Sequence, residues 1–110
     1  MSGLFIGIDV GGTNLKAGVT DEAGRLLTSA HRPLKFRGAE PFAADLAALA
    51  AGVLQAAGGT CQDVVSVGIG LPGAVSGGEV LFTPNIPLAH VPLAELVRSH
   101  MDETVLLGND

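Results

Sequence analysis

Apolar and polar positions alternate with two different periods along this chain, and the change of period divides it into elements. Leu4 to Val10 is an apolar run that carries a carboxylate, Asp9, near its end and is followed by Gly11-Gly12. The next stretch alternates, with Leu15, Ala17 and Val19 facing one way and Lys16 the other, which predicts a half-buried strand. Asp21-Glu22-Ala23-Gly24 has turn chemistry, and Arg25 to Arg32 predicts a third strand. Connections this short make an antiparallel meander. Pro33 to Gly38 breaks the pattern. Pro41 then suits the first turn of a helix, and Phe42, Leu46, Leu49, Val53 and Leu54 recur at helical spacing until Gly58-Gly59 stops it. Val64 to Gly70 predicts another strand, with Val65, Val67 and Ile69 on one face and Ser66, Gly68 and Gly70 on the other. A strand face stripped of side chains implies that backbone or ligand comes close to it. Residues 71 to 92 predict mostly loop, with turns at Pro72-Gly73 and Gly77-Gly78 and a short strand at Glu79–Phe82. Pro92 opens a second helix with the apolar face Leu93, Leu96, Val97 and Met101, and Val105 to Leu107 forms the last strand. A meander followed by strand–helix–strand units predicts an α/β fold, a mixed sheet covered by helices.

Composition narrows the possibilities. The chain has 110 residues, enough for one compact domain. Hydrophobic residues make up 47% and charged residues 15%, which excludes disorder. So few charges leave apolar surface to be covered, as in a lobe packed on another lobe or in a homodimer. Net charge is -5, and the six bases are scattered from Lys16 to Arg98, so no nucleic-acid partner is expected. The single cysteine, Cys61, excludes an internal disulfide and a cysteine zinc cluster, and is expected to be a small apolar filler. His31, His90 and His100 show no ligand spacing. The N-terminus lacks the basic and apolar regions of a signal peptide, and no stretch is long enough to span a membrane. A cytoplasmic protein without a membrane partner is expected.

Candidate chemistry lies at two strand ends. Gly11 and Gly12 allow backbone N–H groups to approach an anion with no Cβ in the way, Thr13 adds a hydroxyl, and Lys16 adds positive charge. Asp9 would repel a phosphate directly, so its expected task is to hold a hydrated Mg²⁺ beside one. The alternative is an ordinary two-residue hairpin in which Asp9 binds the turn amides. The motif is neither a Walker loop nor a dinucleotide fingerprint, since a strand follows the glycines. At the other end, Asn109-Asp110 follows an apolar strand, where the ligand crevice of an α/β sheet lies. A strand-end turn would explain that pair equally.

Asp9-Val10-Gly11-Gly12-Thr13 after a strand resembles the first phosphate loop of the actin/hexokinase/Hsp70 ATPase superfamily. The longer match, Gly7 to Gly18 with Asp21 and Gly24 after it, resembles the opening of the ROK family of sugar kinases and sugar-responsive repressors. Val67-Gly68-Ile69-Gly70-Leu71-Pro72-Gly73, Thr83-Pro84-Asn85, Pro92-Leu93 and Gly108-Asn109-Asp110 follow in the family's order. The resemblance implies an actin-like, ribonuclease H-like lobe over 1–110, with the C-terminal lobe absent. It implies ATP and Mg²⁺ as cofactors, held by Asp9 (through water to the metal), Gly11, Gly12, Thr13 and Lys16. It implies a hexose substrate contacted by Asn109, Asp110, Gly73 and Asn85, with Asp110 as the catalytic base, and places the family's zinc motif beyond this chain. The isolated chain is expected to be inactive. The alternatives are a sugar-sensing regulator without its DNA-binding domain, or a non-catalytic fragment. Neither the hexose nor the choice between ATP and polyphosphate follows from these residues.

Overall fold

A computed structural model of the protein describes residues 2–109. The strands and helices follow in the order β1 (Leu4–Val10), β2 (Asn14–Thr20), β3 (Leu26–Pro33), α1 (Ala39–Ala56), β4 (Val64–Leu71), β5 (Ala74–Ser76), β6 (Glu79–Phe82), α2 (Leu93–Arg98) and β7 (Val105–Asn109). Five strands form one sheet in the order β3-β2-β1-β4-β7, and β5 with β6 forms a separate hairpin. β1, β2 and β3 pair antiparallel, while β4 and β7 run parallel to β1, giving the mixed sheet with its meander.

The alternation seen in the sequence becomes two unlike faces. Leu4, Ile6, Ile8 and Val10 of β1, Leu15, Ala17 and Val19 of β2, and Val67, Ile69 and Leu71 of β4 are all buried on one face. Both helices pack there: α1 lies against β1, β2 and β3, α2 against β7, and the helices touch each other. α1 contributes Phe42, Leu46, Leu49 and Val53, each worth roughly 1.5–3 kcal/mol of burial. Phe36 from the preceding loop meets Phe42 with ring centroids 5.6 Å apart and planes tilted by 56°, closing that end of the core. Gly58, at φ 80, ends α1 in the left-handed conformation, and the Gly58 and Gly59 amides return to the carbonyls of Gln55 and Leu54.

Several boundaries differ from the sequence pattern. Val65 is 53% exposed instead of sharing the face of Val67, because the β1–β4 register shifts between Leu4 and Phe5 and turns it outward. Residues 74–76, read as loop, form β5, whose turn to β6 is Gly77-Gly78 with φ of 57 and 87. The second helix stops at Arg98, so Met101 packs on the core from beyond its end. Cys61 is exposed, opening a short 3₁₀ turn, and is no core filler. In that turn Asp63 accepts from the Thr60 amide at 2.7 Å, which holds its carboxyl below the usual carboxylate range. Among the described residues, no helix is long and apolar enough to cross a membrane.

Candidate functional site

On the face turned away from the helices, the sheet is almost bare. Gly18, Gly7, Gly68 and Leu106 sit side by side across β2, β1, β4 and β7. One pleat further along comes the row Lys16, Asp9, Gly70 and Gly108. These rows line two adjoining shallow grooves of about 380 and 300 Å³ that share Gly68 and Gly70. A Cβ built on Gly7, Gly68 or Gly108 would meet no atom within 4 Å. The chain's own packing therefore does not demand glycine at these positions.

Asp9 stands at the end of this surface, exposed, and accepts no hydrogen bond from any described residue. The hairpin alternative required the turn amides to use it. Instead the Gly11 amide donates to the Asn14 carbonyl at 2.9 Å, and the connection runs over Gly11, Gly12 and Thr13. Lys16 lies directly opposite Asp9 in the β1–β2 register, with no ion pair joining them. A free carboxylate with a lysine beside it and a glycine loop after it suits a hydrated Mg²⁺, which takes one or two carboxylates and fills its shell with water and phosphate oxygens. Asp9 is the residue here that would hold such an ion. Among the described residues, no group of three or more His, Cys, Asp or Glu could form an all-protein metal cage.

The loop residues meet partners distant in sequence. A Cβ on Gly12 would come within 3.2 Å of Asn85 Nδ2, so glycine there lets the Thr83-Pro84-Asn85 segment close on the loop. Thr83, the one buried polar side chain among the described residues, donates to the Ile86 carbonyl at 2.5 Å and shapes the turn that presents Asn85. Its role was legible only as part of the Thr-Pro-Asn motif, because burial of a threonine has no local signature. Thr13 accepts from Asn14 Nδ2 at 3.0 Å, and its carbonyl accepts from the Leu34 amide at 2.8 Å.

Gly73 and Asn109 are 36 residues apart in sequence, and the fold joins them: Asn109 Nδ2 donates to the Gly73 carbonyl. Gly73 has φ of 135, and a Cβ there would lie 2.1 Å from the Phe82 carbonyl oxygen. Gly73→Ala should cost roughly 2 kcal/mol or more and lower the melting temperature of the chain by on the order of 10 °C. A thermal melt unchanged by the substitution would mean that the 71–83 segment is not held as described. Asp110 lies outside the described residues. Gly108 and Asn109 before it continue β7 beside β4, so Gly108 stands two strand spacings, roughly 10 Å, from Asp9. The structure thus gathers Asp9, Lys16, Gly70 and Gly108 on one surface, Asn85 against Gly12, and Asn109 against Gly73.

The Arg25 backbone amide at 2.9 Å and the Arg25 guanidinium hold Asp21 below the usual carboxylate range, while burial, with Asp102 beside it, raises Glu103. His90 and His100 lie 3.6 and 3.0 Å from Glu79 and Glu40, at the surface.

A family model described as ROK family matches residues 5–110. A glucokinase from Streptomyces coelicolor is 38% identical over 110 residues, covering 98% of this chain and 33% of that protein. The crystal structure of a ROK family glucokinase from Streptomyces griseus, in complex with glucose and AMPPNP, superposes with a TM-score of 0.84 at 38% identity, over 97% of this chain and 33% of that one. A ROK family transcriptional regulator, a homologue of the E. coli MLC protein, shares the fold with a TM-score of 0.83 at 22% identity, over 97% of this chain and 28% of that one. The chain spans about a third of the length of the curated relatives it matches.

Proposed function

Because the chain belongs to the ROK family, we propose that it is the N-terminal lobe, residues 1–110, of a cytoplasmic sugar kinase that transfers a phosphoryl group from ATP to a hexose hydroxyl. The observation that supports this most is the convergence of Asp9, without a partner among the described residues, and the Gly108–Asn109 end of β7 at the same end of the parallel strands, with only β4 between them. Gly12 and Thr13 supply backbone and hydroxyl donors for the phosphates, Gly11, whose own amide is spent on the Asn14 carbonyl, turns the chain, and Lys16 supplies charge. Asp9 would hold, through water, the Mg²⁺ that accompanies ATP, and that ion would supply charge to neutralise the phosphates. Asn109 and Asn85 offer amides to sugar hydroxyls, and Gly73 brings its backbone against the ring. Asp110 takes the proton as the hydroxyl oxygen forms its bond to the γ-phosphorus and the bond to the β–γ bridging oxygen breaks, ADP leaving. The sugar's remaining contacts and the rest of the nucleotide site fall to a second lobe, and a homodimer would cover remaining apolar surface.

The test is turnover by the complete reading frame that contains this chain. Hexose phosphate should form with ATP and Mg²⁺, stop when Mg²⁺ is chelated, and be undetectable with the 110-residue chain alone. A full-length product that binds a hexose tightly yet makes no sugar phosphate would overturn the kinase assignment in favour of a sugar-sensing regulator.

A further inference from the structure

Three of the six bases lie close together in sequence, between Arg32 and Arg37, and line one cleft. Arg32 at the end of β3, and Lys35 and Arg37 in the segment that follows, line a hollow of about 410 Å³ against α1, floored by Leu15 and Leu49. Asp45 is the one acid in its wall, so the lining carries +3 and -1, a formal +2, on a chain whose net charge is -5. Arg37 is pre-set. Its Nη2 lies 3.3 Å from both Asp45 carboxylate oxygens, which fixes the guanidinium against α1 and leaves its other N–H groups free to donate. Arg32 spends Nη1 on the His31 carbonyl at 2.9 Å, and Lys35 has no partner among the described residues. None of these residues lines the glycine-floored grooves of the proposed active site.

We propose that this cleft binds a small polyphosphate anion of the pyrophosphate or tripolyphosphate class, between Arg32, Lys35 and Arg37. Two planar guanidinium groups and one mobile ammonium around a hollow suit linked phosphoryl groups, whose oxygens accept several charge-assisted hydrogen bonds at once. The hollow's size fits a compact anion, and the acidic remainder of the chain repels an extended one such as DNA. The cleft backs onto the glycine loop: the Leu34 amide, between Arg32 and Lys35, donates to the Thr13 carbonyl. An anion that draws Lys35 and Arg37 together therefore also stiffens the backbone at Thr13. The site stands whether or not the chain is part of a kinase.

Titration of the chain with metal-free pyrophosphate, followed by backbone amide NMR, tests this. Saturable shifts should centre on Leu34 to Arg37 and on the α1 turn around Asp45, and affinity should fall at least about tenfold in Lys35→Glu and less in Lys35→Gln. Both variants change an exposed side chain, and their amide spectra report directly that the fold persists. ADP binding as tightly as pyrophosphate would assign the anion to a nucleotide's diphosphate tail, and weaker ADP binding would assign it to the free inorganic anion. No saturation by about 10 mM, or shifts that centre on Gly11 to Thr13 and survive Lys35→Glu, would overturn the proposal.

Discussion

Asp110→Asn in the complete reading frame is expected to cut the turnover number by about 10²–10⁴-fold while leaving hexose affinity within about twofold. The amide has the same shape as the carboxylate and can still donate or accept a hydrogen bond, so binding of the sugar survives. It cannot take up a proton at neutral pH, so the attacking hydroxyl must lose its proton without a base. If Asp110 served only to position the sugar, the loss would appear as a raised KM with turnover kept. The size and type of the effect therefore separate a base from a positioning group. The kinase reading also requires Asp110 to share the groove with Asp9, and Gly108, two residues earlier, lies in the same cross-sheet row as Asp9. Hexose binding is measured by calorimetry and turnover by a coupled assay. Wild-type turnover in the variant would remove the base from the mechanism.

The core was legible because it depends on periodicity, which the sequence displays directly. Leu15, Ala17 and Val19 alternate in sequence and are buried in the structure, and Phe42, Leu46, Leu49 and Val53 recur at helical spacing and form the buried face of α1. What stayed hidden depends on pairing between distant segments. Val65 faces out because of a register shift against β1, which no local pattern around Val65 encodes. β5 is three residues long and exists only because Gly77-Gly78 folds it onto β6. The contact of Asn109 with Gly73, and that of Asn85 with Gly12, needed the whole sheet to be assembled before either could be seen. Arg32, Lys35 and Arg37 lie within six residues of one another, but the hollow they line depends on a distant segment too: only the return of α1 beside β3 supplies the facing wall with Asp45 and Leu49.

Gly68→Val should divide stability from activity. Gly68 lies mid-strand in β4, between Gly7 of β1 and Leu106 of β7, where glycine normally weakens a strand by roughly 0.5–1 kcal/mol. A Cβ there meets nothing within 4 Å, and valine suits extended backbone. In the 110-residue chain the substitution should raise the melting temperature by a few degrees, roughly 4–8 °C per kcal/mol gained. In the complete reading frame it should lower kcat/KM by on the order of 10²-fold, because substrate or another stretch of polypeptide must come against bare backbone along Gly7, Gly68 and Gly70, and an added isopropyl group holds it off by an ångström or more. The two measurements pull in opposite directions. If glycine were kept here for the lobe's own folding, the variant chain would melt lower. If nothing approached this face, the longer protein would keep its full rate. Only a surface that is spacious in isolation and crowded in the working molecule gives a stabilised lobe together with a crippled enzyme.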